Sequence, residues 1–361
     1  MIVRFNALVP GDDAAAVRAA IDRVIASGWF VLGPEVEGFE TEFAEACGVR
    51  YAVGVGTGTD AITLILRALD IGHGDEVITA PLSAAYSALA IMMAGARPVF
   101  ADIDPERLTL DPDAVAAAVT PRTRAILPVH LYGQPADMPA LETIAARHGL
   151  ALIEDACQAH LATSAGRAVG TIGIAGAFSF YPTKNLGALG DGGAVVTSDE
   201  ALAARIKRLR NGGQTSRYHH VEAGANSRLD ELQAAILRAR LPFLRRWTER
   251  RREIARQYRS ALATAALSIP REFDAGHVYH LFPVLTPDRA ALQAHLAAAG
   301  VETLIHYPVP IPRQPALDAT HPAHCPVAER ICANVASLPM YPSLSDASVA
   351  TVAEAAAAFR K

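Results

Sequence analysis

The residues best suited to chemistry lie in FSFYPTKNLGALGDGGAVVTSD, residues 178 to 199. Lys184 is the single lysine of that stretch, set among aromatic, small and glycine residues, with no acidic residue nearer along the segment than Asp191. The whole chain holds three lysines, Lys184, Lys207 and Lys361, against thirty arginines. Both types carry the same charge, so in this composition a surface role falls to arginine. What arginine cannot supply is a primary amine that loses its proton and attacks a carbonyl. Lys184 therefore reads as a nucleophile. Ser179, five residues earlier, is close enough to share its ligand, and Gly187, Gly190, Gly192 and Gly193 leave a path with little bulk.

Three further features fall at the ends of apolar runs. In GVGTGTDAITL, residues 54 to 64, a glycine-rich turn leads from a strand into a helix, and its free N–H groups suit a phosphate. Thr57 and Thr59 add hydroxyl groups there. The dinucleotide-binding spacing is absent, because a third glycine would fall at Thr59. An ordinary tight turn explains the same residues equally well. In LIEDACQAH, Asp155 lies just past an apolar strand, with Gln158 and His160 close behind. A buried carboxylate there needs a cationic partner, and a protonated pyridine nitrogen is one; the alternative is a helix N-cap. In PLSAAYSALA, Tyr86 is either a stacking platform for a flat ring or part of the core.

A phosphate cradle, a carboxylate for a ring nitrogen, an aromatic platform and an isolated amine together fit pyridoxal phosphate. The lysine forms a Schiff base with the cofactor's aldehyde, and the aspartate keeps the pyridine protonated so that the ring accepts electrons. Once displaced by a substrate amine, the same lysine is free to move a proton.

These residues need a scaffold that brings strand ends together. YAVGVG, DEVITAP, RPVFADID, RAILPVHLYG, LALIEDA, GAFSFYP and GAVVTSD alternate with alanine-rich helical stretches. Such short apolar runs, buried on both faces, predict a mostly parallel sheet between helices. The expected architecture is a doubly wound α/β domain from about residue 12, whose ligands bind beyond the carboxyl ends of the strands. DAVAAAV after Pro112 and MPALETIAARHGL, closed by Gly149, read as helices. From NSRLDELQAAILRARL the pattern is helical, with Leu229, Leu232, Ile236 and Leu237 on one face, until Pro242 interrupts it. The expected division is residues 1–240, a large α/β domain with an N-terminal arm, and residues 241–361, a smaller α+β domain. The proline-rich segment 307–326 reads as an ordered loop.

Composition narrows the partners. A formal net charge of −4 gives no broad basic field, which argues against nucleic acid. No apolar run reaches the roughly 20 residues of a membrane span. The opening MIVRFNALVPGDDAAAV has no signal-peptide core, and Cys47, Cys157, Cys325 and Cys332 show no CxxC spacing. A cytoplasmic protein with reduced thiols and no metal centre is the expectation.

Taken in order, SGWFVLGPEVEGFETEFA, GTGTDA, GDEVITAP, LPVHLYGQPADM, IEDACQAH, FSFYPTKNLGALGDGGAV, GANSRLDELQAA, IHYPVP and SLPMYP span nearly the whole chain. In that order and spacing the sequence resembles the DegT/DnrJ/EryC1/StrS family of sugar aminotransferases, PLP-dependent enzymes of fold type I (aspartate aminotransferase-like). The resemblance implies Lys184 as the Schiff-base lysine and Asp155 as partner of the pyridine nitrogen. Gln158 would lie against the ring, and Gly58, Thr59 and Ser179 would hold the phosphate. It implies a homodimer with shared active sites, in which Asn226 reaches the neighbouring subunit's phosphate; from the residues alone Asn226 reads as a helix N-cap. Tyr218, His219, His220, His306 and Tyr307 fall where relatives contact substrate, although a solvated loop accounts for each equally. Two departures stand out: Leu161 replaces a common glycine, and the segment around Tyr86 is about one residue shorter. Dehydratase relatives replace the lysine, so Lys184 favours transamination.

The resulting expectation is transfer of glutamate's amino group, through pyridoxamine phosphate, to a nucleotide-linked keto deoxysugar. A dTDP-linked 3-keto-6-deoxyhexose giving a 3-amino-3,6-dideoxyhexose comes first and a 4-keto sugar second. A nicotinamide oxidoreductase built on GVGTGTD leaves Lys184 unused. A non-catalytic regulatory relative leaves Lys184, Asp155 and Gln158 without a purpose. The basic run LRRWTERRRE reads as a solvated helix face, or as a surface steering acidic nucleotides.

Overall fold

The computed structural model describes residues 2–320 and 324–360. All seven apolar runs pair into one sheet. Its spatial order is Tyr51–Val55, Gly193–Thr197, Ala175–Ser179, Ala151–Asp155, Thr123–Leu127, Glu76–Thr79, Arg97–Phe100. Gly193–Thr197 alone runs antiparallel to its neighbours. Consecutive side chains leave opposite faces, as a strand's period of two requires. Val53, Ala177 and Val195 join Ile62, Ile65 and Ile206 on one face. Ala52, Phe178 and Val196 join Phe39 and Phe43 on the other. Both faces are therefore covered by helices, and both strand patterns read as continuous apolar runs.

Local chemistry sets where the helices begin and end. Asp137 accepts from Ala140 N–H at 3.3 Å to open Met138–His148, Pro139 lies in its first turn, and Gly149 closes it at φ 64°. Pro242, which cannot donate an amide hydrogen, lies in the short 3-10 turn Leu241–Phe243 that separates Glu231–Arg240 from Leu244–Ala261. The proline-rich segment forms the 3-10 turns Ile311–Arg313 and Pro315–Thr320, with Ile311 buried in the core; its residues 321–323 lie outside the described ones.

Register brings the chemistry together. Gly193 pairs with Val55 on one side and Ser179 on the other, and Ala177 pairs with Asp155. The carboxyl ends of three strands, carrying the glycine-rich turn, Asp155 and Ser179, thus meet at one edge. A Cβ on Gly193 would lie 2.3 Å from Thr57 O, so only glycine permits this approach. A second apolar cluster surrounds the antiparallel ribbon of Phe282–Leu285 and Val335–Leu338, packed with Tyr258, Leu292, Leu296, Val349 and Val352. Val3 belongs to it as well. Among the described residues no helix is long and apolar enough to cross a membrane.

Candidate active site

At that edge opens a cavity of about 650 Å³. The helix Gly58–Ala68 points its N-terminus at it, and Thr57 caps the helix by accepting from Asp60 N–H at 3.0 Å. The Thr57 oxygen accepts in that bond and its O–H remains free to donate into the cavity. The N–H groups of Gly58 and Thr59 find no acceptor among the described residues, the usual condition of a helix start. A Cβ on Gly58 would sit 2.7 Å from Cys157 Sγ and 2.8 Å from Ser179 Cβ. Glycine there lets the helix start close against Ser179, whose hydroxyl faces the same space.

Asp155 ends its strand buried in the cavity wall. Its Oδ2 accepts from the Ser87 hydroxyl at 2.6 Å and its Oδ1 from Cys157 N–H at 3.1 Å. No helix follows it, so the N-cap alternative falls. Gln158 is held at both ends: Oε1 accepts from Tyr132 N–H at 2.8 Å, and Nε2 donates to the Tyr307 hydroxyl at 3.0 Å. Tyr86 opens the helix Tyr86–Met93 and is 64% exposed on the cavity wall, which removes the core alternative.

Lys184 borders the cavity, and its amine makes no hydrogen bond or ion pair among the described residues. Burial lowers its pKa from the ordinary lysine value, against the opposing pull of Cys157 and Asp155. The histidines around it are neutral for the same reason. Burial pushes His160 down to about 3 and His306 to about 4, with the charge of Lys184 adding to both. An amine that sheds its proton readily, facing empty space with a carboxylate nearby, is equipped to attack a carbonyl carbon.

The remaining sequence candidates separate into two groups. His306 and Tyr307 line the cavity. Tyr218, His219 and His220 lie on an exposed ribbon, Gln214–Ser216 with His219–His220, that does not border it. Asn226 is also exposed and bridges to Asn211. It is not a helix cap, because the helix begins at Glu231; residues 226–230 stay extended while Ser227 accepts from Gly56 N–H at 2.9 Å and donates to Asp60 at 2.7 Å.

Comparison with known proteins decides the family. Residues 12–357 match the DegT/DnrJ/EryC1/StrS aminotransferase family. A dTDP-3-amino-3,4,6-trideoxy-alpha-D-glucose transaminase from Streptomyces venezuelae is 51% identical over 334 residues, covering 91% of this chain and 88% of that protein. The erythromycin biosynthesis sensory transduction protein EryC1 of Saccharopolyspora erythraea is 50% identical over 332 residues, covering 90% of each. The crystal structure of S. venezuelae DesV in complex with a ketimine intermediate superposes with a TM-score of 0.96 at 48% identity, over 98% of this chain and 97% of that one.

The chain belongs to the DegT/DnrJ/EryC1/StrS aminotransferase family.

As a member of this family it is an aminotransferase whose cofactor is pyridoxal phosphate. The residues present fit that group. Unpaired amides at a helix start, an amine without a partner and a buried carboxylate supply the complementary chemistry for its phosphate, aldehyde and ring nitrogen. Leu161 has a φ of 59°, in the left-handed region where glycine is at ease. Ser87, Asn185 and His280 carry no signal in the sequence. Ser87 and Asn185 lie inside the stretches quoted above without being singled out there, and only their contacts give these residues a place in the site.

Proposed function

We propose that this aminotransferase moves the amino group of glutamate onto the keto group of a dTDP-linked 3-keto-6-deoxyhexose, giving a 3-amino-3,6-dideoxyhexose. The observation that carries this reading is the unpartnered Lys184 amine facing Asp155 across a cavity with room for more than the cofactor. The name of the S. venezuelae transaminase favours a dTDP-linked sugar and its third carbon. Apolar Phe5, Leu281 and Leu304 in the cavity wall suit a sugar that has lost hydroxyl groups.

In this reading each residue has one task. The Gly58 and Thr59 amides, the Thr59 hydroxyl and Ser179 hold the phosphate at the helix start, where the helix dipole favours a dianion. Asp155, oriented by Ser87, holds a proton at the pyridine nitrogen. Gln158 sits against the ring near its 3′-oxygen, Tyr86 covers one ring face, and His306 and Tyr307 meet the substrate. Lys184 binds the aldehyde carbon and, when displaced, carries the proton that must move between two carbon atoms. Bound pyridoxal phosphate supplies the electron-accepting ring. Residues 1–240 form the cofactor-binding unit and 241–361 the unit that closes over it. Two copies act together, so that Asn226 and the ribbon carrying Tyr218, His219 and His220 serve the neighbouring copy's cavity. The exposed Trp29 and Phe30, each 55% exposed, belong to the same contact. The dimer works in the cytoplasm.

Mass spectrometry of products from a panel of keto-sugar nucleotides with glutamate tests the reading. Amination at the third carbon of a dTDP sugar is the expected result; amination at the fourth, or preference for another nucleotide, overturns it. The name of the S. erythraea relative favours a second reading, a sensor that binds cofactor without turnover. A yellow protein whose colour survives every amino donor would select that one.

A further inference from the structure

Thr57-Gly58-Thr59-Asp60 has the spacing of a capping box, in which the N-cap residue and the third helical residue each accept from the other's N–H. Only half of the box is built. Thr57 Oγ1 accepts from Asp60 N–H at 3.0 Å, but the Asp60 carboxylate does not return to Thr57 N–H, which has no acceptor among the described residues. Asp60 Oδ2 accepts instead from the Ser227 hydroxyl at 2.7 Å. The direction of that bond is fixed. Gly56 N–H, a donor that cannot reverse, already points at Ser227 Oγ at 2.9 Å, so the one hydroxyl proton goes to Asp60.

Ser227 is buried and well anchored for this task. Its own N–H donates to Arg210 O at 2.9 Å. Arg210 in turn donates to Gly54 O at 2.6 Å, on the strand that leads into the turn. Thr57, Gly58 and Thr59 border the cavity, and Asp60 is not among the residues that line it. A carboxylate at the third position of a helix is drawn to the free amides of the first turn, by hydrogen bonding and by the helix dipole. Those are the groups that suit a phosphate.

We infer that Ser227 is a positioning residue whose hydroxyl holds the Asp60 carboxylate away from the helix start, leaving the amides there open to a phosphate dianion. The inference rests on the phosphate-holding reading proposed above. Released from Ser227, Asp60 completes the capping box, fills an amide and sets a negative charge beside the phosphate.

Full-length protein stripped of cofactor is titrated by calorimetry with pyridoxamine phosphate, which forms no imine with Lys184 and needs no substrate. Pyridoxamine, the same ring without the phosphate, is the control. In Ser227→Ala the dissociation constant for pyridoxamine phosphate rises about tenfold, while that for pyridoxamine stays within about twofold. Asp60→Ala, which removes the competitor and leaves Ser227 in place, does not weaken pyridoxamine phosphate. Joined to Ser227→Ala, it recovers most of the lost affinity. A hydroxyl that only propped the turn would give a loss that removing Asp60 could not restore.

Unchanged affinity in Ser227→Ala, an equal loss for both ligands, no recovery in the double variant, or weaker binding in Asp60→Ala overturns the inference. Unaltered protein that binds pyridoxamine phosphate no tighter than pyridoxamine would defeat the phosphate reading and this inference with it. That result is told apart from a failure confined to Ser227, and neither depends on which sugar is the substrate.

Discussion

Glu154 and Asp155 are neighbours on one strand and turn to opposite sides of the sheet. Both are buried. Glu154 accepts from the N–H groups of Gly170, Ile172 and Gly173 at 2.7 to 2.8 Å, and from His130 Nε2 at 3.0 Å. His130 Nδ1 in turn accepts from Ala136 N–H at 3.0 Å. Both carboxylate oxygens of Glu154 and both ring nitrogens of His130 have their partners. On Asp155's side the Lys184 amine, the Gly58 and Thr59 amides and His280 Nε2 have none among the described residues. The two centres resemble each other in depth and composition, and they differ in unmet hydrogen-bonding demand. Satisfied polar groups hold the loops that frame the cavity; unsatisfied ones mark where a ligand goes.

Three experiments would break or sharpen that contrast. Lys184→Arg keeps the charge and removes the nucleophile. Transamination should fall about a thousandfold or more, with no cofactor colour, while the melting temperature moves by no more than about 2 °C. Substantial remaining turnover in that variant would place the chemistry elsewhere. Glu154→Gln should behave the opposite way. Its amide nitrogen would face backbone donors, costing about 2 to 4 kcal/mol in a denaturant titration. The folded fraction should keep its activity within about twofold, and a stable but inactive variant would show that Glu154 takes part in the chemistry.

The smallest effect concerns pH and the buried histidines. Burial holds His160 and His277 at about 3 and His306 at about 4, against an unfolded value of 6.5. Below pH 6.5 the unfolded chain takes up protons that the folded one refuses. The stability these rings contribute is therefore complete above pH 7 and is lost as pH falls toward 4. Each ring adds a slope of about 1.4 kcal/mol per pH unit in that window. Guanidinium midpoints at pH 7, 6 and 5 measure the slope, and His306→Gln should make it shallower. An identical slope in the variant would mean that His306 is not held neutral in the fold.

Much of this was legible in the chain. Apolar runs of the right length yield the seven strands, Gly149 and Pro242 punctuate the helices, and the scarcity of lysine singles out Lys184. Each follows from local rules of periodicity, backbone freedom and chemical type. What stayed hidden was always a partner distant in sequence. Ser87 holds Asp155 across 68 positions, and His280 meets Asn185 across 95. The antiparallel placement of Gly193–Thr197 between Tyr51–Val55 and Ala175–Ser179 belongs to the same class. By itself the sequence determined which elements form and which side chains are able to react, because both depend on residue type and near neighbours. Only the tertiary structure decided which polar atoms are satisfied and which are left open, because a hydrogen bond is settled by whatever the fold brings within about 3 Å.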